Sequence, residues 1–317
     1  MTRVAVLGGT GWLGRQVCAS FARHGDEVIV VARNPAPYLA EHRFARLDLA
    51  LAAPETITDL LRAERVDVVV NATDAANATD GWANTEEQLA RGNVGLARAV
   101  IGAVGALPWR PRLVHMGTIL EYGEVPAGTL IDENLAPDPR TPYTRTKLDG
   151  SVAVLDAAAA GAVDGVVLRL SNISGPYPSP ASFVGKLIAM LCTALDSGVP
   201  MTVTVTEATR DYLDVRDAAE AVRLAAGAPV TGRVINLGSG RAVTIRELVR
   251  TFVAAAGLPP EMLRERNRRV VSLGGDWTQV DIGLARDLLG WSPRIPLADS
   301  LRDMWRTAVA EQVVTGS

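Results

Sequence analysis

Tyr143 and Lys147 stand four residues apart in the run YTRTK. On a helix that spacing puts both side chains on one face, within reach of a shared ligand. A free phenol has a pKa of about 10, too high to trade protons readily at neutral pH. A neighbouring ammonium favours phenolate and lowers that value. Upstream, LVHMGT ends in Thr118, whose hydroxyl can polarise a substrate oxygen that Tyr143 also approaches. Thr118, Tyr143 and Lys147 thus form a candidate proton-transfer group suited to work beside a hydride carrier. Taken alone, Tyr-x-x-x-Lys is a weak signal, since two surface residues satisfy it equally.

The opening of the chain supplies a place for such a carrier. The apolar run Val4–Leu7 leads into Gly8-Gly9-Thr10-Gly11-Trp12-Leu13-Gly14. Gly8, Gly11 and Gly14 fall where a strand passes into a helix, and a helix N-terminus offers free N–H groups and a positive dipole end to an anion. Glycine removes the Cβ atoms that would hold a pyrophosphate away, and the last glycine lets the helix pack on the strand. A plain tight turn also uses glycine, but a second apolar run, Glu27 to Ala32, follows at the distance a dinucleotide site requires. At the end of that run a carboxylate would take the ribose 2′-OH of NAD. Arg33 stands there instead, and a guanidinium suits a 2′-phosphate, so NADP(H) is favoured over NAD(H). Thr10, Trp12 and Leu13 join the candidate cofactor-binding residues. Asp48 and Leu49 are placed to meet the adenine, although Asp48 could equally cap a helix. Arg15 either assists the cofactor or faces water, and Asn93 bridges to the site or is an ordinary polar helix residue. His115 lies inside a strand and reads as a core residue.

These residues need a scaffold of alternating strands and helices. Strands are expected over 3–7, 27–32, 66–70, 112–116 and 165–170, rich in Val, Ile and Leu with little alternation. That pattern suits strands buried on both faces. Helices are expected over 12–24, 55–63, 84–106 and 141–160. The repetition predicts an α/β fold, a doubly wound parallel sheet of the Rossmann type. An irregular stretch over 172–182 carries Gly175-Pro176, Pro178 and Pro180 as breakers. Beyond it, helix 183–197, strand 201–205, helix 217–227, strand 233–237 and helix 244–256 read as a smaller mixed α/β region. Residues 1–172, rejoined by about 206–240, would bind the dinucleotide; 173–205 and 241–317 would bind substrate.

Composition narrows the class. The 317 residues are 48% hydrophobic with a net charge of -3, and the scattered Lys and Arg give no basic face for nucleic acid. No apolar run reaches membrane-spanning length. The first strand begins too early for a signal peptide, so a cytoplasmic protein is expected. Two cysteines, Cys18 and Cys192, form no disulfide framework and read as buried inert thiols, and three histidines make a metal site unexpected.

With these motifs in order, the chain resembles the extended short-chain dehydrogenases/reductases, the nucleotide-sugar epimerase/dehydratase group. The resemblance rests on GGTGWLG at 8–14, DVVVNATD at 67–74, RGNVGL at 91–96, LVHMGTILEYG at 113–123 and YTRTK at 143–147. It continues through LRLSNISGPY at 168–177, RDYLDVRDAAEAV at 210–222, NLGSG at 236–240 and LARDLLGWSPRIPLADSL at 284–301. It implies Thr118, Tyr143 and Lys147 as the catalytic triad, with Asn71 and Ala72 behind the cofactor. It also implies Asn172 and Arg210 as holders of a sugar-nucleotide diphosphate, where the alternative for Arg210 is a surface ion pair with Asp211. The second diphosphate arginine is not assigned around Arg268, Arg269 and Asp276.

Two departures from the family pattern carry information. Gly117 stands where serine is usual, which would open space for substrate. Family dehydratases resemble one another in carrying acid/base residues directly after the catalytic threonine, and here those positions are Ile119 and Leu120. Aliphatic side chains cannot shuttle the protons of β-elimination, so dehydration is not expected. Ile119 becomes a candidate substrate contact, and Glu121 would point the other way on an extended backbone. Reduction of a nucleotide-linked keto sugar by NADPH and 4-epimerisation with bound NAD both need only the triad. Arg33 favours the first, and the segments over 93–118 and 168–183 look like the deoxysugar 4-ketoreductases of actinobacterial antibiotic pathways, acting on a dTDP-4-keto-6-deoxyhexose. A non-catalytic dinucleotide sensor would have no use for the triad. The loop 74–92, with Asn77, Trp82 and Asn84, is expected at the sugar pocket. The resemblance further implies a homodimer through helices 84–106 and 141–160, with Ala97 and Ala157–Ala160 allowing close packing.

Overall fold

The computed structural model describes residues 1–75, 84–267 and 275–315. Four strands come first: β1 (Arg3–Leu7), β2 (Glu27–Ala32), β3 (Arg43–Arg46) and β4 (Val68–Asn71), with helices α1 (Trp12–Arg23) and α2 (Pro54–Ala63) between them. A short helix α3 (Glu86–Leu89) runs through a π-helical stretch, Ala90–Gly95, into α4 (Leu96–Gly105). Then follow β5 (Arg112–Thr118), α5 (Pro142–Ala159), β6 (Asp164–Leu170), β7 (Asn172–Ser174), α6 (Phe183–Ser197) and β8 (Met201–Val205). β9 (Thr209–Asp214), α7 (Val215–Gly227) and β10 (Arg233–Leu237) precede β11 (Ala242–Thr244), α8 (Ile245–Ala255), β12 (Leu263–Asn267), α9 (Gly283–Leu289) and α10 (Leu297–Thr315).

Seven strands form one parallel sheet in the order β3-β2-β1-β4-β5-β6-β10. Its inner strands are buried on both faces, which is why they read as continuous apolar runs, while the edge strand β3, RFAR, is half-exposed. Val4 and Val6 of β1 join Val28 and Val30 of β2 in a core beneath α1 and α7. Ala5, Leu7, Ile29 and Val31 alternate with them and enter a second core with α2 and α4. This is the doubly wound Rossmann arrangement the β-α repetition predicts. The strand order reverses between β1 and β4, and in such sheets the crevice at that reversal is the ligand site.

A smaller mixed α/β region holds a three-stranded sheet, β11-β9-β7, and a two-stranded pair, β12-β8. Its own core gathers Leu187 and Leu191 of α6, Leu248 and Phe252 of α8, and Leu301 and Met304 of α10. No described helix is long and apolar enough to cross a membrane.

The expected helix over 84–106 is one path but not one regular helix. Its π-helical stretch carries Asn93 and runs against α5, where Gly150 makes room: a Cβ there would lie 3.1 Å from the Asn93 carbonyl and 3.6 Å from Ala97 Cβ. Ala97 therefore packs inside the chain and is not on a face available to a second copy.

Candidate active site

The glycine turn opens where β1 ends. Gly8 has φ of +77°, and a Cβ there would meet Thr73 and the Ala72 carbonyl just beyond β4 at 3.1–3.2 Å. Gly14 is the tightest position, since its Cβ would stand 2.2 Å from the Gly8 carbonyl oxygen. Glycine here lets α1 start directly on top of the strand. Gly11 caps α1 with no side chain bonded to the first-turn amides. A helix N-terminus without a capping side chain, floored by glycines, fits a dinucleotide pyrophosphate. Gly11, Trp12, Leu13 and Gly14 would hold it.

The turn is braced on both sides. The Tyr38 hydroxyl donates to the Thr10 carbonyl at 2.8 Å, and Trp12 Nε1 donates to the Pro176 carbonyl at 2.9 Å. The Arg15 guanidinium lies between two rings, 3.9 Å from the centre of Tyr38 and 3.4 Å from that of Tyr177. It is therefore neither a bare solvent arginine nor aimed solely at a cofactor. Arg33 is exposed at the C-terminal end of β2, on the sheet edge above the crevice. Asp48 accepts the Ala50 N–H at 3.1 Å within its own turn and does not cap α2, whose N-cap is Ala53. Leu49 packs against the second core.

The three residues expected to act together lie on two neighbouring elements, β5 and α5. Thr118 ends β5, beside β4 at the reversal of strand order. Tyr143 sits in the first turn of α5, which starts from a reciprocal Thr141–Thr144 cap with Pro142 at its first position. Lys147 is one turn on, buried, and its Nζ donates to the Met116 carbonyl at 2.6 Å. The Tyr143 hydroxyl donates to Asp74 Oδ2 at 3.2 Å. Burial, then the charge and hydrogen bond of Asp74, then the charge of Glu121, hold the phenol well above the usual tyrosine value. Burial first, and then the carboxylate at the phenol, outweigh the lowering expected from Lys147, whose ammonium donates to a backbone carbonyl.

Around the phenol lies an apolar collar of Leu89, Ala75 and Leu120. The short 3₁₀ turn after β5 places Leu120 at Tyr143, whereas Ile119 is buried with Tyr122, Ile131 and Val280. The expectation of Ile119 as a substrate contact is thus corrected: the helical turn rotates it into the core. Gly117 likewise opens no space for substrate, because Glu121 fills it; a Cβ on Gly117 would be 2.7 Å from Glu121 Oε1.

Asn93 supports the group from behind. It donates to Thr146 Oγ1 at 3.0 Å and accepts the Ala75 N–H at 3.5 Å, joining the neighbours of Lys147 and Asp74. Asn71 is buried and shares a 3.1 Å hydrogen bond with His115 Nδ1. Burial, with the Lys147 charge second, pushes His115 down to about 3, so its ring is neutral and structural. Both cysteines are buried, and burial pushes the Cys18 thiol up to about 12.

The expected diphosphate residues lie on adjacent strands of the small sheet, β7 and β9. Asn172 donates to the Asp211 carbonyl at 3.3 Å. Arg210 is buried and donates to the carbonyls of Thr209 and Gly275, while Asp211 receives Ser239 and Gly240 instead. The alternative of a surface Arg210–Asp211 pair is therefore excluded. Asn84 donates to the Ala75 carbonyl beside the site. Asn77, Trp82, Arg268 and Arg269 lie outside the described residues.

Residues 4–238 match the model of the NAD dependent epimerase/dehydratase family. The chain belongs to that family. As a member of the epimerase/dehydratase family it is an NAD(P)-dependent enzyme. It is 38% identical over 305 residues to the dTDP-6-deoxy-L-talose 4-dehydrogenase (NAD(P)(+)) of Kitasatospora kifunensis, spanning 96% of this chain and 94% of that relative. Its fold matches the dTDP-glucose 4,6-dehydratase of Bacillus anthracis in complex with NAD, with a TM-score of 0.84 at 16% identity over 99% and 98% of the chains. It also matches RMD from Pseudomonas aeruginosa complexed with NADPH, with a TM-score of 0.82 at 22% identity over 98% and 100%.

Proposed function

We propose that this enzyme reduces a nucleotide-linked keto-deoxysugar with NADPH, the substrate being a dTDP-4-keto-6-deoxyhexose. The observation that carries the reading is the Tyr143–Asp74 hydrogen bond. A ketone reductase needs a protonated donor beside its carbonyl, and a phenol held above its ordinary pKa is one. When bound, the dinucleotide supplies hydride to the carbonyl carbon. Tyr143 gives its proton to the oxygen, Thr118 polarises that oxygen, and Lys147 reaches toward the cofactor ribose. The aliphatic Leu120 beside the phenol supports a site without the acid/base pair of dehydration. The relative from Kitasatospora kifunensis is named for oxidation of a dTDP-6-deoxyhexose at carbon 4, and the reverse of that reaction is this reduction.

In this reading Asn172 and Arg210 hold the diphosphate, the smaller region is the substrate part, and two copies pair through the outer face of α5, where Val152 is exposed. Sedimentation in solution reads the last point directly. The decisive assay mixes the protein with NADPH and a dTDP-4-keto-6-deoxyhexose and follows loss of nicotinamide absorbance. Steady consumption is expected. Silence there, with interconversion of UDP-hexoses by bound NAD, would instead make the protein a 4-epimerase.

The preference for NADP(H) rests on Arg33, exposed just past the end of β2, where a 2′-phosphate would be met. Arg33→Ala is expected to raise the KM for NADPH about ten-fold or more, the worth of a charge-assisted contact. The KM for NADH should stay within two-fold. Equal effects on both cofactors would remove Arg33 from the site.

A further inference from the structure

We propose that Glu121 is a positioning residue whose buried carboxylate brackets the strand end bearing Thr118 to the face of α5 bearing Lys147. The inference rests on Thr118, Tyr143 and Lys147 being the catalytic group.

Glu121 has no exposed surface. A carboxylate in such a place is expensive to desolvate unless it is fully paired. Here every bond it makes goes to the scaffold of the triad. Its Oε1 accepts the Thr118 N–H at 2.9 Å and the Ser151 hydroxyl at 3.0 Å. Its Oε2 accepts Arg169 Nε at 2.7 Å. Ser151 lies four residues after Lys147, one turn along the same face of α5. Lys147 itself reaches β5 through the Met116 carbonyl. Strand and helix are therefore joined twice, once by the catalytic lysine and once by this carboxylate.

Gly117 completes the device. A Cβ at that position would meet Glu121 Oε1 at 2.7 Å, Ser151 Oγ at 3.1 Å and Arg169 Cγ at 3.2 Å. The carboxylate occupies the volume that a side chain on Gly117 would take, so the two residues act as one unit. The far end is anchored as well: the Arg169 guanidinium rests 4.4 Å from the Tyr122 ring centre, and the Tyr122 hydroxyl donates to Asn236 Oδ1 at 3.0 Å on β10. A hydrophobic side chain at 121 could fill space but could not accept the Thr118 amide.

The charge reaches the phenol too. Among the described residues, the groups around Tyr143 are Asp74 after β4, Glu121 after β5, Lys147 on α5 and, behind Glu121, Arg169 on β6, with His115 neutral. Glu121 adds to what keeps Tyr143 protonated. Removing that charge while leaving Arg169 in place makes the phenol easier to ionise.

The test compares Glu121→Gln with Tyr143→Phe in the full-length protein, using turnover, NADPH affinity by fluorescence titration and thermal melting. Expected for Glu121→Gln is a kcat loss of ten-fold or more, with NADPH affinity within two-fold. The alkaline limb of its kcat profile should move to lower pH. A second measurement uses melting alone. Gly117→Ala should lower the melting temperature strongly in the native background and hardly at all beside Glu121→Ala, where the clashing carboxylate is gone. An unchanged kcat and pH profile in Glu121→Gln, with Tyr143→Phe inactive, would overturn the bracket and leave the triad intact. An equal loss of kcat, NADPH affinity and melting temperature would overturn it as mere packing. If Tyr143→Phe were fully active, the triad itself would be wrong.

Discussion

The phenol of Tyr143 faces a carboxylate, and that neighbour favours its protonated form. Burial of the phenol, then the charge of Asp74 and the hydrogen bond its Oδ2 accepts from the hydroxyl, disfavour phenolate. Replacing Asp74 by Asn removes the charge and keeps the shape. The phenol should then ionise at lower pH, so the protonated donor is lost earlier as pH rises. In pH–rate profiles the alkaline limb of ketone reduction is expected to shift downward. The acid limb of the reverse oxidation, which needs phenolate, should shift down with it. A profile unmoved in both directions would remove Asp74 from the proton balance. Asp74 was not legible in the sequence, because no spacing rule links a residue just past β4 to one on α5. Glu121 was only partly legible: it turns inward to Ser151 and Arg169, on a 3₁₀ turn and not on an extended backbone. That same turn swaps the roles of Ile119 and Leu120.

At the scale of the elements, the junction of β1 and α1 has the least tolerance. Gly14→Ala would press a methyl group to 2.2 Å from the Gly8 carbonyl oxygen, and backbone cannot yield there as a flexible side chain can. The expected outcome is a loss of about 3 kcal/mol or more in urea unfolding, together with loss of NADPH binding. A variant that melts and binds like the native protein would refute this account of the turn. The buried parallel strands were the easiest elements to read, since both faces of β1 and β2 select Val, Ile and Leu, whereas strand 233–237, read with the smaller region, joins the main sheet as its edge strand β10. The edge strand β3, RFAR, was not read, because an edge lined with arginine gives no apolar run. β9 was visible as a motif but not as a strand, for TRDYLD spends its residues on caps and hydrogen bonds. The π-helical stretch at Asn93 left no sequence mark beyond two glycines, Gly92 and Gly95.

For the whole molecule, acid should weaken the fold before its carboxylates titrate. His115 is held down to about 3 from an ordinary 6.5, mainly by burial and then by Lys147. Above pH 6.5 both folded and unfolded chains carry it neutral. Below that the unfolded chain takes up a proton that the folded chain refuses, so stability falls as pH drops. Urea titrations between pH 6.5 and 5 should show a loss of up to about 1.4 kcal/mol per pH unit. His115→Met should flatten that slope; an unchanged slope would place its source elsewhere. Finally, the Arg15 guanidinium lies between the rings of Tyr38 and Tyr177, at the seam where the glycine turn meets the proline-rich crossing into the smaller region. Each such ring face is worth about 0.5–1 kcal/mol at an exposed position. The two regions cannot hinge apart without peeling the Arg15 cation from the Tyr177 face, while its Tyr38 face stays with the glycine turn.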